Sequence, residues 1–168
     1  MADATRTSLL RKRSSRLAAA QALYAHALKQ DRTPPPKLIK QVVQSWADSK
    51  TFQAADLPYD VQPEQALLSR IVLSAVEHSA PIETAIESTI LPHWKKSRMS
   101  LPLLSTLRAA AGEHLAFPQK KRGMLIEEYT EIAAQLVADE EVPYAHKALN
   151  LLLDALAVPP AASAEAHG

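Results

Sequence analysis

The chain has 168 residues and a mass of 18.3 kDa, the size of a single domain that can bury a core without covalent cross-links. It contains no cysteine, which excludes disulfides, thiolate-bound zinc, iron–sulfur clusters and cysteine nucleophiles. Abundant alanine and leucine with three glycines indicate an all-α fold. Because the chain lacks an apolar stretch of about 18 residues, we expect a soluble, cytoplasmic protein that does not associate with a membrane.

The charge is distributed unevenly, although the net charge is only +1. Residues 1–40 contain nine Lys and Arg against two Asp and Glu, whereas residues 41–168 contain ten against sixteen. A basic N-terminal segment on an acidic body favours an anionic partner for that segment. The charge pattern by itself fits solvated charges on a flexible N-terminus equally well.

Apolar residues at spacings of three and four, interrupted by prolines, predict seven helices and no strand. The helices are expected at about residues 11–30, 35–46, 63–79, 81–90, 101–116, 120–137 and 142–156. We expect residues 1–10 to be a flexible basic N-terminus, residues 11–157 to form the domain and residues 158–168 to be a disordered tail. Residues 47–62 are interpreted as a loop.

Two of these helices carry specific predictions about burial. The first has an apolar stripe formed by Leu17, Ala20, Tyr24 and Leu28, so Tyr24 is expected in the core rather than stacked on a base. The third, at residues 63–79, is apolar over most of its circumference and is therefore expected in the middle of the bundle.

Residues 13–24, which read RSSRLAAAQALY, resemble the opening helix of the NusB family of transcription antitermination factors. The family pattern is Arg-x-x-Arg-x-x-Ala-x-Gln-Ala-Leu-Tyr. Later segments follow in the family's order, with an isoleucine-bearing helix that ends at Trp94, the run IEEYTEIA at residues 126–133 and a segment that begins at Tyr144. The resemblance extends over residues 11–156.

The resemblance implies an all-α fold of about seven helices in two packed sub-bundles. It also implies an RNA-binding antitermination factor that binds boxA-type single-stranded RNA in nascent ribosomal RNA transcripts. Such a factor acts together with the ribosomal protein NusE in the RNA polymerase elongation complex. No cofactor and no metal is implied.

Single-stranded RNA requires cations that neutralise its phosphates, and the first predicted helix resembles the RNA-binding arm of the family. Arg13 and Arg16 are three residues apart and are expected on one helix face. We expect their replacement by alanine to weaken RNA binding with little loss of fold stability. The further candidates are basic residues of the same segment and of two later clusters at helix junctions, namely Arg11, Lys12, Lys95, Lys96, Arg98, Lys120 and Lys121. The later clusters are nearly as well explained as charges that balance nearby acidic helices.

Three glutamates of the sixth predicted helix, Glu127, Glu128 and Glu131, give that helix a negative side. This side is a candidate partner surface for a basic protein such as NusE, or simply a solvated surface. The alternative function is therefore a diverged NusB-like interaction scaffold or homodimer that has lost boxA recognition. Departures from the family pattern at Glu127, His146 and Lys147 keep this alternative open.

Enzymatic motifs are not found. The six histidines show no His-Glu-x-x-His spacing, which would place two metal ligands on one helix face. No Gly-x-Ser-x-Gly nucleophile elbow occurs. We therefore expect a protein that is not an enzyme.

Overall fold

The computed structural model describes residues 2–29, 33–48, 61–92, 94 and 99–157. Within these residues the chain forms seven α-helices, one short 3₁₀ helix and no strand, which confirms the predicted all-α class. The helices are α1 (Ala2–Lys29), α2 (Pro35–Asp48), α3 (Gln65–Glu77), α4 (Ser79–Thr89), α5 (Leu101–Ala116), α6 (Arg122–Leu136) and α7 (Val142–Ala155), with the 3₁₀ helix at Asp139–Glu141.

Prolines mark the beginnings of several helices, as the sequence predicts. α2 begins at Pro35, and α5 and α7 carry Pro102 and Pro143 in their first turns. Proline is tolerated at these positions because the first turn of a helix has no use for its backbone N–H. The hydroxyl of Ser100 caps α5 by accepting a 3.3 Å hydrogen bond from the backbone N–H of Leu103.

The first helix is longer than predicted, because it begins at Ala2 and not near Arg11. Residues 2–10 contain neither proline nor glycine, and their alanines, arginine and leucines favour helix. The side chains of residues 5–9 are exposed, whereas those of residues 14–20 are buried. Residues 5–9 are therefore a solvent-exposed part of a helix whose middle part lies in the core.

The helices form two packed sub-bundles, as predicted. α1, α2 and α3 pack on one another, α5, α6 and α7 pack on one another, and α4 contacts α7. The two sub-bundles join where α5 packs against α1 and α3. Their buried apolar residues form one continuous core. None of the described helices combines the length and the apolarity that a membrane span would need.

The most enclosed helix is α5, and α3, which is expected in the middle of the bundle, packs against α1, α2 and α5. Residues 103–107 and 109–114 of α5 are buried, whereas Leu73 of α3 is exposed. Alanines and Gly112 let α5 approach its neighbours closely, and a Cβ on Gly112 would lie only 2.6 Å from the carbonyl oxygen of Ile71. The enclosure of α5 depends on its small side chains. A prediction based on the number of large apolar residues gives such side chains no weight.

The apolar stripe of α1 is confirmed only in part. Leu17 and Ala20 are buried and Tyr24 is partly buried, but Leu28 is 56% exposed. The prediction for Leu28 is wrong because the other described helices do not cover the last turn of α1. The tail at 158–168, most of the predicted loop at 47–62, and the cluster of Lys95, Lys96 and Arg98 lie outside the described residues.

Candidate nucleic-acid interface

A network of ionisable side chains lies where the two sub-bundles join. α1 supplies two arginines, α5 a glutamate, the α5–α6 connection a lysine, and α6 a glutamate and a tyrosine. The members of this interface network are Arg13, Arg16, Glu113, Lys120, Glu128 and Tyr129.

At the centre of the interface network is the carboxylate of Glu113. Arg16 donates to it through Nε and Nη2, both over 2.9 Å. The hydroxyl of Tyr129 donates to Oε1 over 2.6 Å, and Nζ of Lys120 donates to Oε2 over 2.9 Å. Arg16 is 2% exposed and Glu113 is fully buried. A buried charge is tolerated only when it is paired and hydrogen-bonded, and both conditions are met here.

These contacts determine the protonation states. Burial by itself would raise the pKa of the Glu113 carboxyl, but the hydrogen bonds and charge of Arg16, with the bonds from Tyr129 and Lys120, hold that pKa below its ordinary value. Burial and the charge of Glu113 raise the pKa of Tyr129 well above its ordinary value. At neutral pH Glu113 is therefore ionised, and the neutral phenol of Tyr129 donates to it.

Arg13 contacts a second carboxylate, that of Glu128. Nε of Arg13 lies 2.9 Å from Oε2 and Nη2 lies 3.3 Å from Oε1. Nη1 of Arg16 lies 3.7 Å from the same Oε2. The two arginines thus share one face of α1, as their spacing predicts. The side chain of Arg13 remains 36% exposed, whereas that of Glu128 is 13% exposed.

The other predicted RNA-binding residues that the structure describes differ in how exposed they are. Arg11 and Lys12 are exposed on α1, and Lys121 is exposed just before α6. Lys120 is turned inward onto Glu113 and lies 4.1 Å from the centre of the Phe117 ring. Three of the predicted RNA-binding cations, Arg11, Lys12 and Lys121, are therefore exposed among the described residues.

Arg16 requires a correction. The sequence predicts a surface guanidinium whose loss costs little stability, but the side chain is buried and bound by Glu113. The reason is tertiary, because the carboxylate that draws Arg16 inward lies 97 residues away in the chain. A glutamate two residues from the predicted inward positions Ala111 and Leu115 is the sign in the sequence of an internal cationic partner.

The three glutamates predicted to bind a partner do not all lie on the same side of α6. Glu127 and Glu131 are exposed and lie four residues apart on α6, so they share one face. Glu128 lies beside them in sequence but is turned toward α1. The predicted negative side therefore consists of two exposed glutamates rather than three.

The serines between the two arginines join α1 to the start of α3, a role that no local pattern in the sequence indicates. The hydroxyl of Ser14 donates to the carbonyl oxygen of Val61 over 2.8 Å. The hydroxyl of Ser15 accepts a 2.7 Å hydrogen bond from the backbone N–H of Glu64, one residue before α3. These bonds tie the start of α3 to α1 and help to fix the orientation of α1.

An aromatic surface lies at a separate place, near the start of α7. The ring of Tyr144 is 52% exposed and meets the ring of Trp94 edge to face, with centroids 5.9 Å apart. Nζ of Lys147 lies 6.0 Å from the centre of the Trp94 ring. A cavity of about 160 Å³ adjoins the two rings and is rimmed by Glu140 and Glu141.

In the part of the chain that the structure describes, no three or more His, Asp or Glu side chains are grouped to hold a metal ion. His114 is buried, and its Nδ1 atom has no hydrogen-bond partner. Burial lowers the pKa of His114, so its ring is neutral at pH 7.

The chain is similar to known proteins over most of its length. The model of the NusB family matches residues 13–145. A transcription antitermination protein NusB from Hyphomonas neptunium is 28% identical over 148 residues, which cover 88% of this chain and 90% of that protein. A protein of the same name from Sphingopyxis alaskensis is 27% identical over 147 residues, which cover 85% and 89%.

A solved structure agrees with the fold. The solution structure of NusB from Aquifex aeolicus matches with a TM-score of 0.65 and covers 86% of this chain and 88% of that chain. At 20% sequence identity this likeness supports the all-α architecture. Because the family model covers most of the chain, from the α1 arginines to the start of α7, this protein belongs to the NusB family of transcription antitermination factors.

Proposed function

We propose that this protein binds boxA-type single-stranded RNA in nascent ribosomal RNA transcripts, together with NusE, and acts in the RNA polymerase elongation complex. The observation that carries the proposal is the set of exposed cations Arg6, Arg11 and Lys12 in the N-terminal half of α1, in a chain of the NusB family. A helix that presents cations to solvent suits the phosphates of a flexible strand.

The proposed phosphate-binding surface consists of α1 residues, and Lys121 at the start of α6 is a further proposed contact. Arg6 and Arg13 are seven residues apart, nearly two helical turns, so they share a face of α1. Arg11 and Lys12 present further cations on the adjoining faces. Arg6, Arg11 and Lys12 are exposed, and Arg13 is partly exposed. In this proposal Arg16 touches no RNA and acts by holding α1 on α5. Lys95, Lys96 and Arg98 remain predicted contacts on the basis of sequence.

Base recognition needs aromatic faces or polar edges in addition to cations. Among the described residues, Tyr144 is the one exposed aromatic side chain, and Lys147 lies near the adjoining Trp94 ring. We assign to Tyr144 the stacking of one base. Stacking on an aromatic side chain contributes about 1–3 kcal/mol per base.

The exposed face of Glu127 and Glu131 is the proposed contact for NusE. Opposite charge guides the encounter of a basic protein with this face and raises the association rate more than the final affinity. Salt is therefore expected to slow the association of NusE, and Glu127→Gln with Glu131→Gln should have the same effect.

Fluorescence anisotropy of a labelled boxA RNA tests the proposed function. The protein is titrated with and without NusE at two salt concentrations, and a scrambled RNA of equal length and composition is the control. Selective binding of boxA that tightens with NusE is the expected result. Equal binding of the two RNAs, with no gain from NusE, would refute the proposal.

A second candidate is an interaction scaffold that keeps the fold and has lost boxA recognition. It is favoured by the carboxylates of Glu113 and Glu128, which engage both Arg13 and Arg16. Under this alternative the protein binds a protein partner through Glu127 and Glu131 and shows no RNA selectivity. The same titration separates the two candidates.

A further inference from the structure

The contact between Arg13 and Glu128 bears directly on the proposed RNA site. Arg13 lies at the base of the exposed basic face of α1, yet its Nε and Nη2 atoms donate to both carboxylate oxygens of Glu128. A carboxylate and a phosphodiester each offer two anionic oxygens to the fork of a guanidinium. The donors that Glu128 occupies are therefore donors that a bidentate RNA phosphate would use.

Glu128 is the more distant of the two carboxylates that contact the buried cation beside it. Arg16 already has a bidentate partner in Glu113, and its distance to Glu128 is the longer 3.7 Å. The side chain of Glu128 is largely shielded from solvent, so water screens its charge only weakly at Arg13. Its negative charge thus acts mainly on the one partly exposed arginine of the interface network.

The charge balance of the interface network supports the same conclusion. Its three cations and two carboxylates leave a net charge of +1. Removal of the charge of Glu128 raises that net charge to +2 without adding a cation to the interface network. The surface around Arg13 then attracts an anion more strongly.

We propose that Glu128 sets the affinity of this protein for single-stranded RNA by competing, as an internal carboxylate, with an RNA phosphate for Arg13. This inference rests on the RNA-binding function proposed above. Glu128 weakens the binding of every single strand, because phosphate contacts carry no information about the bases. The preference for boxA over a scrambled RNA is left unchanged by it.

The test compares two neighbouring charge-neutralising variants, Glu128→Gln and Glu127→Gln, in binding to boxA RNA without NusE. Both remove one negative charge from α6, but only Glu128 touches Arg13. Glutamine keeps an oxygen that can accept from Arg13, so the orientation of the guanidinium is retained. We expect Glu128→Gln to bind RNA roughly fivefold more tightly than Glu127→Gln, the effect of one partly exposed ion pair.

Two further variants connect this gain to the contact. In an Arg13→Ala background, Glu128→Gln and Glu127→Gln should bind RNA equally. Glu128→Asp keeps the charge but withdraws the carboxylate from Arg13, and we expect a smaller gain in affinity. Thermal melting checks that each variant is folded, and Glu128→Asp decides the matter if Glu128→Gln is unstable.

The outcomes separate the two proposals. A gain for Glu128→Gln that disappears without Arg13 supports competition. Equal affinity of Glu128→Gln and Glu127→Gln would overturn it, and weaker binding by Glu128→Gln would show instead that Glu128 positions Arg13 for RNA. If neither the wild type nor any variant binds RNA, the proposed RNA-binding function itself fails, and the competition model fails with it.

Discussion

Arg16 on α1 and Glu113 on α5 are joined by two parallel hydrogen bonds of 2.9 Å in the interior of the protein. Through Tyr129 and Lys120 the same carboxylate also contacts α6 and the connection before it. One buried carboxylate thus links the N-terminal sub-bundle to the C-terminal one. The basic half of α1 is held at a defined position as a consequence.

The two arginines of α1 should have very different effects on stability. Arg16→Ala leaves Glu113 as a buried charge without its main partner and should lower the free energy of unfolding by about 3–5 kcal/mol. Arg13→Ala removes a partly exposed pair and should cost about 1 kcal/mol or less. Urea unfolding of both variants measures the difference. Equal losses would contradict the structural role assigned to Arg16.

Stability should fall on acidification because of Glu113. Its pKa in the folded protein lies below the ordinary value of 4.5. The unfolded chain therefore binds the proton more readily, and the stabilisation present above about pH 4.5 is lost as the pH falls through the folded pKa. Glu113→Gln should flatten this decline in free energy of unfolding, although the variant is less stable at neutral pH. The exposed control Glu127→Gln should retain the wild-type decline, and a parallel decline in Glu113→Gln would rule out this origin.

The contact between α3 and α5 should not tolerate a methyl group at Gly112. A Cβ there would lie 2.6 Å from the carbonyl oxygen of Ile71 and 2.9 Å from Cβ of Ala75. Gly112→Ala should destabilise the fold by about 1–3 kcal/mol, the usual cost of overpacking. A Cβ on Gly123 of α6 would meet none of the described residues within 4 Å, so Gly123→Ala should be neutral or stabilise by up to about 1 kcal/mol. Thermal unfolding of the pair tests the contact, and similar melting temperatures would argue against it.

The exposed cations of α1 should affect RNA binding without affecting the fold. Arg11→Gln with Lys12→Gln should weaken boxA binding, and each lost phosphate contact should reduce the slope of log affinity against log salt by about 0.7. Lys37→Gln with Lys40→Gln removes the same charge from exposed positions on α2 and is the matched control. Anisotropy titrations provide both quantities. A control that loses as much affinity as the α1 variant would show that only net charge matters.

Much of the fold can be predicted from the sequence, because the relevant signals are local. The spacing of Leu38, Ile39 and Trp46 places one buried face on α2, and these residues are buried in the structure. The bounds predicted for the fifth helix coincide with those of α5, since Ser100 caps its start and Pro118 follows its C-cap Phe117. Propensity, capping and periodicity act within a few residues and can be read from the chain.

The exposure of Leu28 and the enclosure of α5 were not predicted, because both depend on how neighbouring helices pack. An apolar stripe indicates which face of a helix is suited to burial. How far along the helix axis that face is covered depends on the packing of other helices. α5 is enclosed because its small residues admit neighbours on several sides, and such residues add little to an apolar pattern.

The sequence by itself determined the all-α class, most of the helix bounds, the resemblance to the NusB family and the common face of Arg13 and Arg16. Only the tertiary structure decided which of these two arginines is buried and which remains partly exposed. Their carboxylate partners lie 97 and 115 residues away, and burial of a charge depends on the groups that fold around it. The difference between a structural arginine and a candidate RNA contact is therefore set by the packing of α1 against α5 and α6.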